Sequence, residues 1–193
     1  MKRICVFCGS DRGVRPDYAD AARRLGGVLA SRRLSLVYGG GRVGLMGEIA
    51  NSVLEAGGEV VGVIPRSLYE MEVAHTGVTD LRLVDSMHER KALMAELSDA
   101  FIALPGGMGT LEELFEVLTW AQLGFHEKPC GLLDVAGYFE HLIEFLSHAV
   151  GERFLRAEHR GLLLVETCPA GLLDRLAEQR PPRIEKWIDR SGL

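Results

Sequence analysis

Cysteine is scarce in this chain, four residues in 193, at positions 5, 8, 130 and 168. Two of them form Cys5-x-x-Cys8, but that pair falls inside a predicted strand rather than at a helix start. It reads as two small buried residues, not as a redox or metal motif. The six histidines show no zinc-ligand spacing, so no metal is expected. Long apolar runs are missing too, and the stretch Ile4 to Cys8 behind Lys2 and Arg3 is too short for a signal sequence. The chain is therefore expected in the cytoplasm, with no membrane partner. Positive charge is in deficit: 22 Lys and Arg against 27 Asp and Glu give a formal net charge of -5. That balance argues against a broad nucleic-acid surface and leaves room for a local basic pocket around one phosphate. No Gly-Lys-Ser/Thr follows any glycine loop, which removes the P-loop, and there is no internal repeat.

What the chain does contain is a regular alternation. Short apolar runs at 3–8, 35–38, 60–64, 81–84, 100–104, 130–133 and 162–165, several rich in Val and Ile, read as buried strands. Between them, Tyr18, Ala21, Ala22, Leu25, Val28 and Leu29 recur at helix spacing. So do Leu111, Leu114, Phe115 and Leu118, and then Phe139, Leu142, Ile143 and Leu146. About seven strands alternating with helices predict an α/β doubly wound sheet, mostly parallel, with helices on both faces. A composition of 47% hydrophobic and 25% charged residues suits one domain over 1–180. Residues 181–193, opening on Pro181-Pro182, read as a tail. Sheets of this kind bind ligands outside the carboxyl ends of their strands, so the strand-to-helix loops are where to look.

Three such loops stand out. In Pro105-Gly106-Gly107-Met108-Gly109-Thr110-Leu111-Glu112-Glu113, three glycines and a threonine fall where a buried strand turns into a helix. Unpaired N–H groups at a helix start carry partial positive charge, and glycine lets an anion approach them closely. Gly106, Gly107, Gly109 and Thr110 thus form a candidate phosphate cradle. Thr110-x-x-Glu113 is also capping-box spacing, so Glu113 has a purely structural alternative. Against that, the glycines exceed what a cap needs, and an acid beside a phosphate needs a reason. Cleavage of a glycosidic bond supplies one, because it builds positive charge on the sugar that a carboxylate stabilises.

The second loop, Asp85-Ser86-Met87-His88-Glu89-Arg90-Lys91, has a capping box at Ser86 and Glu89. It puts Arg90 and Lys91 just inside a helix start, where the dipole disfavours cations by roughly 0.3–1 kcal/mol. Either a carboxylate or a bound phosphate offsets them, or both snorkel to solvent. The third loop, Gly39 to Gly47, formally contains G-x-G-x-x-G. It follows the second strand rather than the first, and Ile64 stands where a dinucleotide's ribose-binding acid belongs. Its glycines read as tight-turn and packing residues or as part of a mononucleotide pocket.

Met87-His88-x-Arg90-Lys91 together with Pro105-Gly106-Gly107-x-Gly109-Thr110-x-x-Glu113 resembles the paired signature of the Lonely Guy family of cytokinin riboside 5'-monophosphate phosphoribohydrolases. The likeness extends from Cys8-Gly9-Ser10 through Thr119 to Gly124 and on to the last strand. It implies a Rossmann-like homodimer or larger homo-oligomer that hydrolyses a nucleoside 5'-monophosphate to free base and ribose 5-phosphate, with no cofactor. By the same resemblance Arg90 and Glu113 are the catalytic pair. Lys91, the Gly106 to Thr110 cradle, Glu112 and Glu72 are the substrate-binding residues. Trp120 and Gln122 are assigned to the dimer face or the core. Relatives carry the label lysine decarboxylase, but no lysine here is marked for a Schiff base. The competing reading is a nucleotide or molybdenum-cofactor carrier of the same fold, which needs the cradle but not the Arg90 and Glu113 pair.

Overall fold

The computed structural model describes residues 1–71 and 73–179. Glu72 and the predicted tail at 181–193 lie outside the described residues. The elements run β1 (Arg3–Phe7), α1 (Pro16–Ser31), β2 (Ser35–Tyr38), α2 (Gly44–Glu55), β3 (Val60–Pro65), α3 (Arg66–Glu70), β4 (Asp80–Val84) and α4 (Met87–Leu97). They continue with β5 (Ala100–Ala103), α5 (Met108–Gln122), β6 (Cys130–Leu133), α6 (Glu140–Gly151), α7 (Ala157–Arg160), β7 (Leu163–Glu166) and α8 (Pro169–Glu178). Every predicted strand is present to within one residue at each end.

The seven strands form one sheet in the order β4-β3-β2-β1-β5-β6-β7. Every pairing is parallel, so the sheet is more uniform than the mostly parallel one expected. Parallel strands joined by helical crossovers are covered on both faces, and this is why the runs are apolar without alternation. Side chains still alternate between two cores. Ile4, Val6 and Cys8 pack with Ala22, Leu25, Leu45, Ile49 and Leu172, contributed by α1, α2 and α8. Cys5 and Phe7 point the other way, toward Val37, Val63 and Phe101 and toward Met94 and Val117 of α4 and α5. A third cluster, with Leu114, Leu132, Phe139 and Leu146, seats α6.

The winding changes direction at β1. The chain fills β2, β3 and β4 on one side of it, then returns to place β5 on the other. Because β1 continues into α1 on one face and β5 into α5 on the opposite face, the two loops diverge and leave a crevice above the strand ends. No described helix is long and apolar enough to cross a membrane.

Phe101, fully buried in β5, stacks on Phe7 with ring centroids 6.0 Å apart directly beneath that crevice. Phe101→Ala is expected to lower unfolding stability by about 3–5 kcal/mol, read from urea denaturation. A loss below ~1 kcal/mol would mean the sheet centre is not the rigid base described.

Candidate active site

The crevice holds a cavity of about 250 Å³ lined by the end of β1, three strand-to-helix loops and helices α2, α4 and α5, among them Cys8, Gly9, Gly39, Met46, Arg90, Gly107, Met108, Gly109, Thr110 and Glu113. Its floor is the end of β1 knitted to the end of β5: Leu104 N–H donates to Phe7 O at 2.9 Å, and Gly9 N–H donates to Pro105 O at 3.0 Å. Gly106 is required there by packing. A Cβ at that position would lie 2.1 Å from Thr110 Oγ1 and 2.8 Å from Gly9 N. Gly107 and Gly109 differ, because a Cβ on either meets nothing within 4 Å. The protein itself leaves that space open, over the first N–H groups of α5. Open space over unpaired helix N–H groups is what a phosphate cradle would need, and the two glycines leave it free of side chains.

The capping-box alternative for Glu113 does not hold. Helix α5 begins at Met108 with Gly107 as its cap, and no side chain caps it. Thr110 therefore sits inside the first turn, its hydroxyl packed against Gly106, and Glu113 lies a turn further along, too deep to bond back. Its carboxylate instead stands 3.6 Å from Arg90 Nη1, with both side chains about 11% exposed.

Arg90 reaches this position because α4 starts where expected. Ser86 Oγ accepts from Glu89 N–H at 3.1 Å, while the Glu89 carboxylate accepts from Asp85 N–H, one residue earlier than in a standard capping box. The guanidinium then turns inward over the ends of β2 and β3, donating from Nε to Val63 O at 3.1 Å and from Nη2 to Gly39 O at 3.0 Å. Gly39 makes the room, since a Cβ there would overlap Nη2 at 1.7 Å. The expectation that the two cations snorkel to solvent is thus overturned, because both are buried. Carbonyl oxygens and carboxylates offset the unfavourable helix end.

Lys91 points to α5. Its ammonium pairs with Glu112 and, at 3.2 Å, with Glu116, and these carboxylates hold its pKa above the usual lysine range. Glu116 was not anticipated, although it lies one turn beyond Glu112 on the same stripe. Lys91 and Glu112 are neighbours of the cavity rather than part of its lining.

Burial pushes the Glu113 carboxyl up to about 7, further than the nearby Arg90 cation can pull it down. Glu112 and Glu116 push in the same direction as burial, and Lys91 opposes them. The acid therefore changes charge near neutral pH instead of being fully held ionised by its arginine. Cys8, also in the lining, has its thiol raised by burial and by Glu113, which makes it a poor nucleophile.

The loop from Gly39 to Gly47 is explained by packing more than by ligand contact. Gly44, at φ +60°, lies where a Cβ would strike the Ser10 backbone at 2.1 Å, and a Cβ on Gly47 would meet Arg42 O at 2.2 Å. Only Gly39 and Met46 of this loop and its helix line the cavity. Trp120 is half-buried against the α4 and α5 core, and Gln122 is exposed. The Cys8 to Ser10 turn is the part of the lining for which the residues themselves gave no signal. The rule that ligands sit at the switch point of the sheet locates it once β1 is known to be central.

Comparison with known proteins finds relatives over nearly the whole chain. Residues 46–176 match the family described as "Possible lysine decarboxylase". A probable cytokinin riboside 5'-monophosphate phosphoribohydrolase of Oryza sativa subsp. japonica is 52% identical over 181 residues, 94% of this chain and 80% of that one. A cytokinin riboside 5'-monophosphate phosphoribohydrolase of Arabidopsis thaliana is 51% identical over 192 residues, 100% of this chain and 90% of that one. Among solved structures, the Moco carrier protein of Chlamydomonas reinhardtii superposes with a TM-score of 0.70 at 22% identity, covering 92% of this chain and 96% of that one. At that identity the likeness shows the fold alone. Decarboxylation of lysine through pyridoxal phosphate does not fit the residues present. Such chemistry needs a neutral amine, whereas Lys91 is held charged by two carboxylates and no described lysine lines the cavity.

Glu113 has a signed effect on stability. Its folded pKa lies above the ordinary value, so its contribution is most favourable below about pH 4.5 and is lost as pH rises through about 7. Glu113→Gln removes that loss. The variant is expected to be more stable than the parent by on the order of 2 kcal/mol at pH 8, with the gap closing toward pH 4. Thermal unfolding at the two pH values measures it, and an unchanged or reversed gap would contradict the burial assigned to this carboxylate.

Proposed function

This chain belongs to the Lonely Guy family, and we propose that it is a nucleoside 5'-monophosphate phosphoribohydrolase, cleaving cytokinin riboside 5'-monophosphates to free base and ribose 5-phosphate. One observation carries this reading: a buried carboxylate, Glu113, is placed beside a cation, Arg90, one helical turn from an open phosphate cradle. A carrier gains nothing from a buried acid next to a bound phosphate. A hydrolase needs one.

In this reading the N–H groups of Met108, Gly109 and Thr110 and the α5 dipole hold the 5'-phosphate. That fixes the ribose and spends remote binding energy at the anomeric carbon. Glu113 as carboxylate faces that carbon. It stabilises the positive charge that grows as the bond to the base nitrogen breaks, and it takes a proton from the attacking water. The hydroxyl of that water becomes the 1-hydroxyl of ribose 5-phosphate, and the departing base nitrogen takes up a proton. Arg90, anchored on the Val63 and Gly39 carbonyls, keeps part of the Glu113 population ionised and lies within reach of the ribose. Lys91, with Glu112 and Glu116, ties α4 to α5 and so sets the spacing of the catalytic pair.

We assign Glu72 to the same substrate on the resemblance alone. We further propose a cytoplasmic homodimer, in keeping with the exposed Phe115 in the middle of α5 and Leu123 and Phe125 beyond its end.

Incubation with AMP and with N6-isopentenyl-AMP is expected to release free base and ribose 5-phosphate, with the unphosphorylated nucleosides turned over poorly. Glu113→Gln and Arg90→Ala each lose about 100-fold or more in kcat. Binding without hydrolysis in the parent, or near-normal turnover in either folded variant, would overturn the assignment. The cradle has its own test. Gly109→Ala, which adds a methyl only to empty space and favours helix, should leave the unfolding midpoint unchanged or higher while raising KM for the monophosphate about tenfold. An unchanged KM would remove the phosphate from this loop.

A further inference from the structure

Resting on the hydrolase reading, the position of the base follows from the order of groups in a nucleotide. The phosphate lies at the Gly107 to Thr110 end, and the glycosidic bond lies beside Glu113 and Arg90. The base must then project past Arg90, away from the cradle. Two methionines stand next to Arg90, Met46 in the cavity lining and Met87 just outside it. Met87 Sδ lies 3.8 Å from Arg90 Nη1, the same nitrogen that faces Glu113. Met46 lines the cavity alongside Gly39 and Arg90, and it folds over Gly41, where an added Cβ would lie 2.7 Å from its methyl. Met87 comes from α4 and Met46 from α2, so they approach Arg90 from different elements. Met87 is 42% exposed, which leaves much of its thioether side chain open to contact beyond Arg90.

We propose that Met46 and Met87 form the base subsite and decide preference among bases, gripping adenine and the apolar group attached at its N6. The chemistry suits that ligand class. Thioether sulfur makes favourable contacts with aromatic rings, and an unbranched side chain with three rotatable bonds adapts to substituents of different shape. A cavity of about 250 Å³ lies just below the usual range for ligand pockets, which leaves the N6 group at its mouth against unbranched methionine side chains instead of in a closed slot. The enzyme therefore accepts N6 substituents of several shapes, and its discrimination against plain AMP comes from apolar contact rather than from hydrogen bonding.

The test is the ratio of kcat/KM for N6-isopentenyl-AMP to that for AMP. Met87→Gln and Met46→Gln keep side-chain length and remove the apolar end. Each is expected to lower the ratio about fivefold or more, while Met87→Leu and Met46→Leu retain most of it. A ratio unchanged in both Gln variants, with AMP still hydrolysed, overturns the subsite and leaves the hydrolase reading standing. Absence of any hydrolysis in the parent strikes the hydrolase reading instead. A second measurement needs no folded variant. In the parent labelled at its methionine methyls and already saturated with ribose 5-phosphate, which accounts for any shift of Met108 at the cradle, added N6-isopentenyladenine should shift the NMR signals of Met46 and Met87. The signal of core-buried Met94 should stay in place. Unmoved signals at saturating ligand would overturn the proposal.

Discussion

The site depends on the ion pair between Arg90 and Glu113, formed where the sheet changes winding direction. Isolated charges do not survive burial, and an unpartnered carboxylate in this crevice would lie protonated and inert near neutral pH. Arg90 prevents that only in part, because burial and two neighbouring acids raise the carboxyl to about 7. The balance is functional in character. An acid that titrates near the working pH can both accept a proton and stabilise a cation, whereas one held far below that range is a weak base.

Much of the surrounding structure serves this pair. The carbonyls of Val63 and Gly39 accept from the arginine's Nε and Nη2, and the guanidinium fills the place a side chain on Gly39 would take. Gly106 lets Thr110 pack inward, so α5 starts early and Glu113 falls one turn beyond the open glycine loop. Lys91, with Glu112 and Glu116, joins the two helices that carry the pair. Beneath them, the stacked Phe7 and Phe101 give the strand ends a packed base.

The fold was legible in the sequence because a parallel sheet writes itself as short apolar runs separated by helix-period segments. The glycine density from Gly106 to Gly109 marked the cradle. Side-chain direction was harder to read. Capping-box spacing at Thr110 and Glu113 is satisfied on paper, yet the helix starts three residues earlier than that box implies, because a glycine-to-threonine packing contact is invisible to spacing rules. Arg90 and Lys91 taken on their own loop read as solvent-facing, since only the tertiary arrangement shows that one meets strand carbonyls and the other meets α5. The Cys8 to Ser10 turn carries no composition signal of its own and owes its place in the site to topology alone.

If the half-compensated Glu113 is the catalytic base, its titration must appear in the rate. The most direct measurement is the pH dependence of kcat/KM for the parent enzyme between about pH 5 and about 9. The account predicts a rate that climbs as the carboxylate forms, with its midpoint near 7. A flat profile over that range, or a midpoint near the ordinary value of 4.5, would contradict it.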